Sequence, residues 1–268
     1  MPEIKTPVTS KFFYRKMGSG PAVVLIHGFP ESSALWRNIW DDLATSYTLL
    51  IPDLPGSGST PLEQETYIPQ MADCISLMLD TECVAKAVIA GHSMGGYVGF
   101  EFASRYSERL AGLSIVHSTP LADDEEKKSI RLRSISLIEK GGKNAFVRQM
   151  VPNLFSDGFK QSHAAIVEEQ SELALQIEAK SLVNYTKAMI ARPDHSSLPE
   201  TAVYPIQWIL GTEDKIILYK KILTYCAKSG INFVTFYNNC GHMSMLEAPD
   251  KLINDLRKFI NYCYERLH

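Results

Sequence analysis

Ser93 lies in Gly91-His92-Ser93-Met94-Gly95, between the apolar run Ala87-Val88-Ile89-Ala90 and the small-residue segment Gly96-Tyr97-Val98-Gly99-Phe100. That order reads as a strand, a sharp turn and a helix with the serine at the turn, the pattern of a nucleophile elbow. Glycine on either side leaves room for a strained turn, and the helix that follows points its positive end at the hydroxyl. A serine hydroxyl is a weak nucleophile until a base takes its proton. The base in turn needs an acid to orient it.

Seven histidines and many carboxylates compete for those roles, so position along the chain has to choose. Where strands and helices alternate around an elbow, the parts follow in the order serine, acid, histidine, each on a loop after a strand. Function collects at the carboxyl edge of such a sheet. His242 fits, in Asn239-Cys240-Gly241-His242-Met243 just after the last apolar run. His27 and His92 sit in tight turns and read as structural. His117 ends a strand and is a weaker alternative base. His163, His195 and His268 read as surface residues. For the acid, Asp214 in Gly211-Thr212-Glu213-Asp214 follows a strand and precedes the histidine, while Glu213 would face another way. Asp53 comes before the serine and reads as a turn residue ahead of Gly56. Ser118-Thr119-Pro120, after another strand, offers no carboxylate. A developing oxyanion needs donors. The backbone N–H of Met94 is one, and that of Phe29, in His27-Gly28-Phe29-Pro30, is assigned as the second.

The elements that must position these groups are legible in the apolar pattern. Strands are expected at 10–16 (an edge strand with Phe12 and Tyr14 on one side), 22–26, 47–51, 85–90, 110–117, 203–210 and 231–237. Helices are expected at 33–46, 67–82, 94–106, 219–229 and 249–267. The alternation implies a parallel sheet with helices on both faces. It stops between 121 and about 192, where helix follows helix. The first begins with Asp123-Asp124-Glu125-Glu126-Lys127-Lys128, acidic at its start as the dipole favours, and is expected to stop at Gly141-Gly142. Others follow at 144–150, 161–177 and 180–190. The division is therefore a core at 1–120 and 198–268 with a helical cap at 121–197. Met150, Leu154, Phe155, Met189 and Phe146 of the cap could line an apolar acyl pocket, or could simply pack it onto the core.

The totals exclude several classes. The chain has 268 residues, 45% hydrophobic and 21% charged, as for globular material. A net charge of −3 argues against a nucleic-acid or anionic-membrane partner held by charge. Five cysteines without C-x-x-C spacing read as reduced thiols of a cytoplasmic protein, not as a disulfide frame or metal site. The N-terminal stretch lacks the apolar segment of a secretory signal, and no run is long enough to span a bilayer.

Together, His27-Gly28-Phe29-Pro30, Asp53-x-Pro55-Gly56-x-Gly58, Gly91-His92-Ser93-Met94-Gly95-Gly96, Gly211-x-x-Asp214 and Gly241-His242 resemble the α/β-hydrolase fold superfamily, in order and over nearly the whole chain. The segment Ala188-Met189-Ile190-Ala191-Arg192-Pro193-Asp194 resembles the cap of small carboxylesterases and enol-lactone hydrolases related to the pimeloyl-ester esterases. The resemblance implies an eight-stranded, mostly parallel sheet and a carboxylic ester hydrolase that needs no cofactor. A small-molecule ester would be the substrate, and the protein would be a monomer or homodimer. His-Gly-Phe-Pro-Glu followed by Trp36 also resembles the epoxide hydrolases and haloalkane dehalogenases. Those use an aspartate at the elbow, and this chain has Ser93. Lactone, thioester or C–C bond cleavage on the same three residues stays open, as does a non-catalytic receptor.

Overall fold

The computed structural model describes residues 1–267. Its centre is an eight-stranded sheet: β1 (Glu3–Ile4), β2 (Phe12–Met17), β3 (Ala22–Ile26), β4 (Thr48–Pro52), β5 (Ala87–His92), β6 (Leu110–Val116), β7 (Ile206–Gly211) and β8 (Asn232–Tyr237). Their spatial order is β1-β2-β4-β3-β5-β6-β7-β8. β1–β2 and β2–β4 pair antiparallel, and every later pair is parallel. All residues of β3, β5, β6 and β7 are buried, which is why these strands read as continuous apolar runs rather than alternating ones.

Helices cover both faces. α2 (Ile68–Thr81), α3 (Met94–Arg105) and α10 (Tyr219–Cys226) share one core with Val24, Ile89 and Trp208. α1 (Arg37–Ala44) and α12 (Pro249–Glu265) share the other with Val23, Leu25 and Ile209. Each fully buried Val, Leu or Ile contributes roughly 1.5–3 kcal/mol. Between β6 and β7 the chain leaves the sheet as α4 (Glu125–Leu137), α5 (Lys143–Met150), α6 (Asp157–Ser162), α7 (Ala164–Leu175), α8 (Ala179–Ile190) and α9 (Leu198–Thr201), and a last short helix, α11 (Ser244–Glu247), precedes α12.

The chain runs from β3 outward to β4, then returns past β3 to β5 on its other side. The loops after β3 and β5 therefore part in opposite directions, and a crevice forms between them at the carboxyl ends. That crevice brings residues 27–30 beside Ser93.

Some expectations need correction. The 10–16 strand is not at the edge, because β1 pairs outside it. Val203 is 84% exposed and lies outside β7, which starts only after Pro205, a residue with no N–H for a ladder. Gly141-Gly142 does not end a helix. A π turn carries α4 into α5, with a kink at Gly141, whose φ is +89°. The 161–177 helix is two helices, α6 and α7, broken at His163. No helix among the described residues is long and apolar enough to cross a membrane, and all five cysteines are free.

Candidate active site

Ser93 follows β5 with φ +49° and ψ −113°, a conformation L residues avoid. The turn closes only because its flanking residues are glycines. A Cβ on Gly91 would lie 2.2 Å from the Gly95 carbonyl oxygen, and one on Gly95 would lie 2.3 Å from that of Ile26. The Ser93 N–H donates to Val116 O at 3.0 Å and its carbonyl accepts from Ser118 Oγ at 2.7 Å, which ties the elbow to the end of β6. The Ser93 side-chain oxygen makes no hydrogen bond to the protein among the described residues. Neither does the backbone N–H of Phe29 or of Met94.

Asp214 and His242 come together from the loops after β7 and β8. His242 Nδ1 donates to Asp214 Oδ2 at 2.7 Å, with both side chains almost wholly buried. Asp214 Oδ1 accepts the N–H groups of Ile216 and Ile217, at 2.8 and 2.9 Å. Burial alone would raise the Asp214 pKa. The His242 charge and the imidazoles of His117 and His242 outweigh it and bring the carboxyl well below the usual range.

The histidine loop is held at several points. The His242 N–H donates to Leu154 O at 2.7 Å, and its carbonyl accepts from His92 Nε2 at 2.9 Å. The Glu247 carboxylate accepts from the N–H groups of Gly241, Met243 and Ser156. Beside the 27–30 loop, Glu31 Oε2 accepts from the Gly28 N–H and from His92 Nδ1, both at 3.0 Å. Both His92 nitrogens thus face acceptors. Burial disfavours its charge, but the Glu31 carboxylate and the His242 carbonyl outweigh this and raise its pKa. His27 does the reverse: burial lowers its pKa, and its Nε2 faces the Leu54 N–H and Ser57 Oγ. Asp53 brackets its loop, accepting from the N–H groups of Ser33 and Ser59.

The structure therefore gathers Phe29, Ser93, Met94, Asp214 and His242 at one edge of the sheet. Of the candidate lining residues, Leu154 borders a cleft of about 380 Å³ between the 30–35 and 56–62 loops and the α7–α8 helices, as does Met243; Phe146, Met150, Phe155, Met189 and Ser93 do not. Phe155 is fully buried and stacks on Phe159. The Phe146 ring lies 6.3 Å from that of Phe29. His163 is exposed, and His195 is partly exposed, its Nε2 bonded to Glu101 Oε2 at 2.8 Å. His268 lies outside the described residues. Sequence reasoning missed Glu31, Glu247 and the nearness of His117. Only Glu31, inside His-Gly-Phe-Pro-Glu, carried a signal. Nitrogen and oxygen atoms of His117, Asp214 and His242 lie within 4.8 Å of one another, close enough to share a cation.

A family model described as "Alpha/beta hydrolase family" matches residues 23–256. The chain belongs to the alpha/beta hydrolase family. A thermophilic esterase from Thermogutta terrifontis superposes on this hydrolase with a TM-score of 0.92 at 24% identity, over 98% of this chain and 99% of that one. The enol-lactonase from Burkholderia xenovorans gives a TM-score of 0.89 at 18% identity, over 97% and 100%. A pimeloyl-[acyl-carrier protein] methyl ester esterase of Aeromonas salmonicida is 37% identical over 114 residues, 41% of this chain and 43% of that protein.

Proposed function

We propose that this hydrolase cleaves carboxylic esters of small to medium acyl groups through an acyl-enzyme on Ser93. The observation that carries the reading is the buried 2.7 Å bond from His242 Nδ1 to Asp214 Oδ2, beside a serine strained at an elbow. That bond fixes the proton on Nδ1, leaving Nε2 as the free base. His242 Nε2 takes the Ser93 proton as the oxygen attacks the ester carbonyl. The unused N–H groups of Phe29 and Met94 receive the oxyanion. The tetrahedral intermediate collapses, and the imidazolium returns the proton to the leaving alcohol. Water repeats the cycle on the acyl-enzyme, releasing the acid and restoring Ser93.

The helical run over residues 121–197 is read as a cap over this site. The test is a panel of p-nitrophenyl esters and simple lactones of graded chain length, run beside Ser93→Ala. Ester turnover should peak at short to medium chains and fall at least about 10⁴-fold in the variant. A fluorophosphonate should label Ser93 alone. Activity retained by Ser93→Ala would end the proposal.

A further inference from the structure

His117 has no part in the reaction proposed above, yet it lies against the acid. Its ring is fully buried, and Nδ1 comes within 3.3 Å of Asp214 Oδ2. The approach is poorly aligned, and neither ring nitrogen completes a hydrogen bond. The backbone there is strained as well, with φ +49°. An unsatisfied buried imidazole and a disfavoured backbone thus coincide at the end of β6. The side chain they place faces the carboxylate that receives His242.

We propose that His117 is a positioning residue whose Nδ1–H is a second donor to Asp214 Oδ2, holding that carboxylate in line with His242. The inference rests on reading Asp214 as the acid of the triad. With it, Asp214 is held on every side: two backbone N–H groups on Oδ1, two imidazoles on Oδ2. Burial lowers the His117 pKa to about 4, so its ring stays neutral and brings no positive charge against His242. The other groups facing this cluster are committed elsewhere. His92 is paired with Glu31, and its ring is 6.2 Å from that of His117. Tyr237, at the end of β8 with its ring 6.4 Å from that of His117, donates to Asp255. Burial holds the Cys240 thiol protonated, and Glu247 accepts from backbone N–H groups. A second donor draws charge from Oδ2. It weakens the pull of Asp214 on the Nδ1 proton of His242, which the acid limb of the pH–rate profile reads.

The first test uses the unaltered protein. ¹⁵N NMR of histidine-labelled protein should show His117 neutral at pH 7 with its proton on Nδ1; a proton on Nε2 overturns the inference. The second compares two variants that both accept a positive φ. His117→Asn keeps an N–H near the position of Nδ1, and His117→Gly keeps none. The acid-limb midpoint of kcat/KM should stay within about 0.2 pH unit in the first and rise by about 0.5 or more in the second. The low-field Nδ1–H resonance of His242 should move only in His117→Gly. Equal behaviour of the two variants, or a loss of stability in His117→Gly with the midpoint unmoved, overturns it. If His117→Gly does not fold, the tautomer decides. Because the tautomer is read without turnover, its failure is separable from the Ser93→Ala result that would remove the triad.

Discussion

The sheet and the helical run beside it share their apolar cores but differ in how many buried polar groups they carry. β3, β5, β6 and β7 are buried along their whole length, and what fixes them is apolar contact plus ladder hydrogen bonds. The helices of 125–190 share the apolar cores through side chains such as Leu154, Phe155, Leu182 and Met189, and add a set of buried polar contacts. Arg192 donates to the carbonyls of Met189 and Leu121 and to Asp123, and its guanidinium lies 4.1 Å over the Tyr97 ring. Arg131 takes the other oxygen of Asp123, whose carboxylate has no exposed surface. Asn184 exchanges two bonds with the Thr66 backbone, and the Tyr185 hydroxyl donates to Leu54 O. Apolar contact is tolerant of direction, whereas hydrogen bonds and ion pairs are not. The apolar cores therefore set the stability of both regions, and the polar contacts set the direction of the helical run. Leu154 O, which accepts from the His242 N–H, is one point where the two meet.

The largest expected effect lies at the sheet edge. Asp214→Asn should lower kcat by about 10³–10⁴, because an amide there no longer selects the tautomer with its proton on Nδ1. Ester kinetics on a folded variant check this. Thermal unfolding should move far less than kcat does. A loss under about tenfold would mean that His242 is oriented from elsewhere.

A paired experiment breaks the comparison directly. Asp123→Asn removes the partner of two guanidinium groups and should cost about 3–5 kcal/mol. Ile89→Ala removes a fully buried sheet side chain and should cost about 2–5 kcal/mol. The magnitudes overlap, so location has to separate them. In hydrogen exchange, Asp123→Asn should release α4 and α8 first while β5 and β6 keep their protection, and KM should rise. Ile89→Ala should lower protection across the sheet. If both variants open the same amides, the two regions unfold as one unit.

The two regions also differ in how much their sequences disclose. β3 is apolar at all five positions between a glycine-proline turn and His27-Gly28, and its limits were readable to the residue. The placement of Ser93, Asp214 and His242 just after strands was readable because β5, β7 and β8 each stand out between turn residues. In the insertion, the break at His163 has no glycine or proline to announce it. Gly141-Gly142 announces an end that the packing converts into a kink. Arg192 and Asp123 are 69 residues apart, and nothing local marks them as partners. The same holds for Glu247, whose carboxylate gathers three N–H groups from two segments. Local pattern reports periodicity and turns, and these contacts are neither.

Acid should separate the regions in the opposite order to Asp123→Asn. His117 is neutral in the fold with its pKa lowered to about 4, against an ordinary value of 6.5. A lowered histidine contributes stability that is fully present above the unfolded value and is lost as pH falls from there toward the folded one. Between pH 6.5 and 4 this amounts to about 3 kcal/mol, and His27, also lowered by burial, adds in the same direction. His92 has the opposite sign. Its raised pKa makes its contribution complete below 6.5, so it is constant across this window. Asp123 answers only at lower pH. Burial would raise its carboxyl, but Arg192 and Arg131 bring it below the usual value. Its stabilisation is therefore lost only as pH falls below about 3.9. Urea unfolding at pH 7 and pH 5 should show the wild type losing about 2 kcal/mol, with His117→Asn losing clearly less. Hydrogen exchange at pH 5 should place the loss at the ends of β6 and β7, with α4 and α8 still protected. Protection lost first from α4 would assign the acid sensitivity to the insertion's carboxylates and not to the imidazoles of the sheet edge.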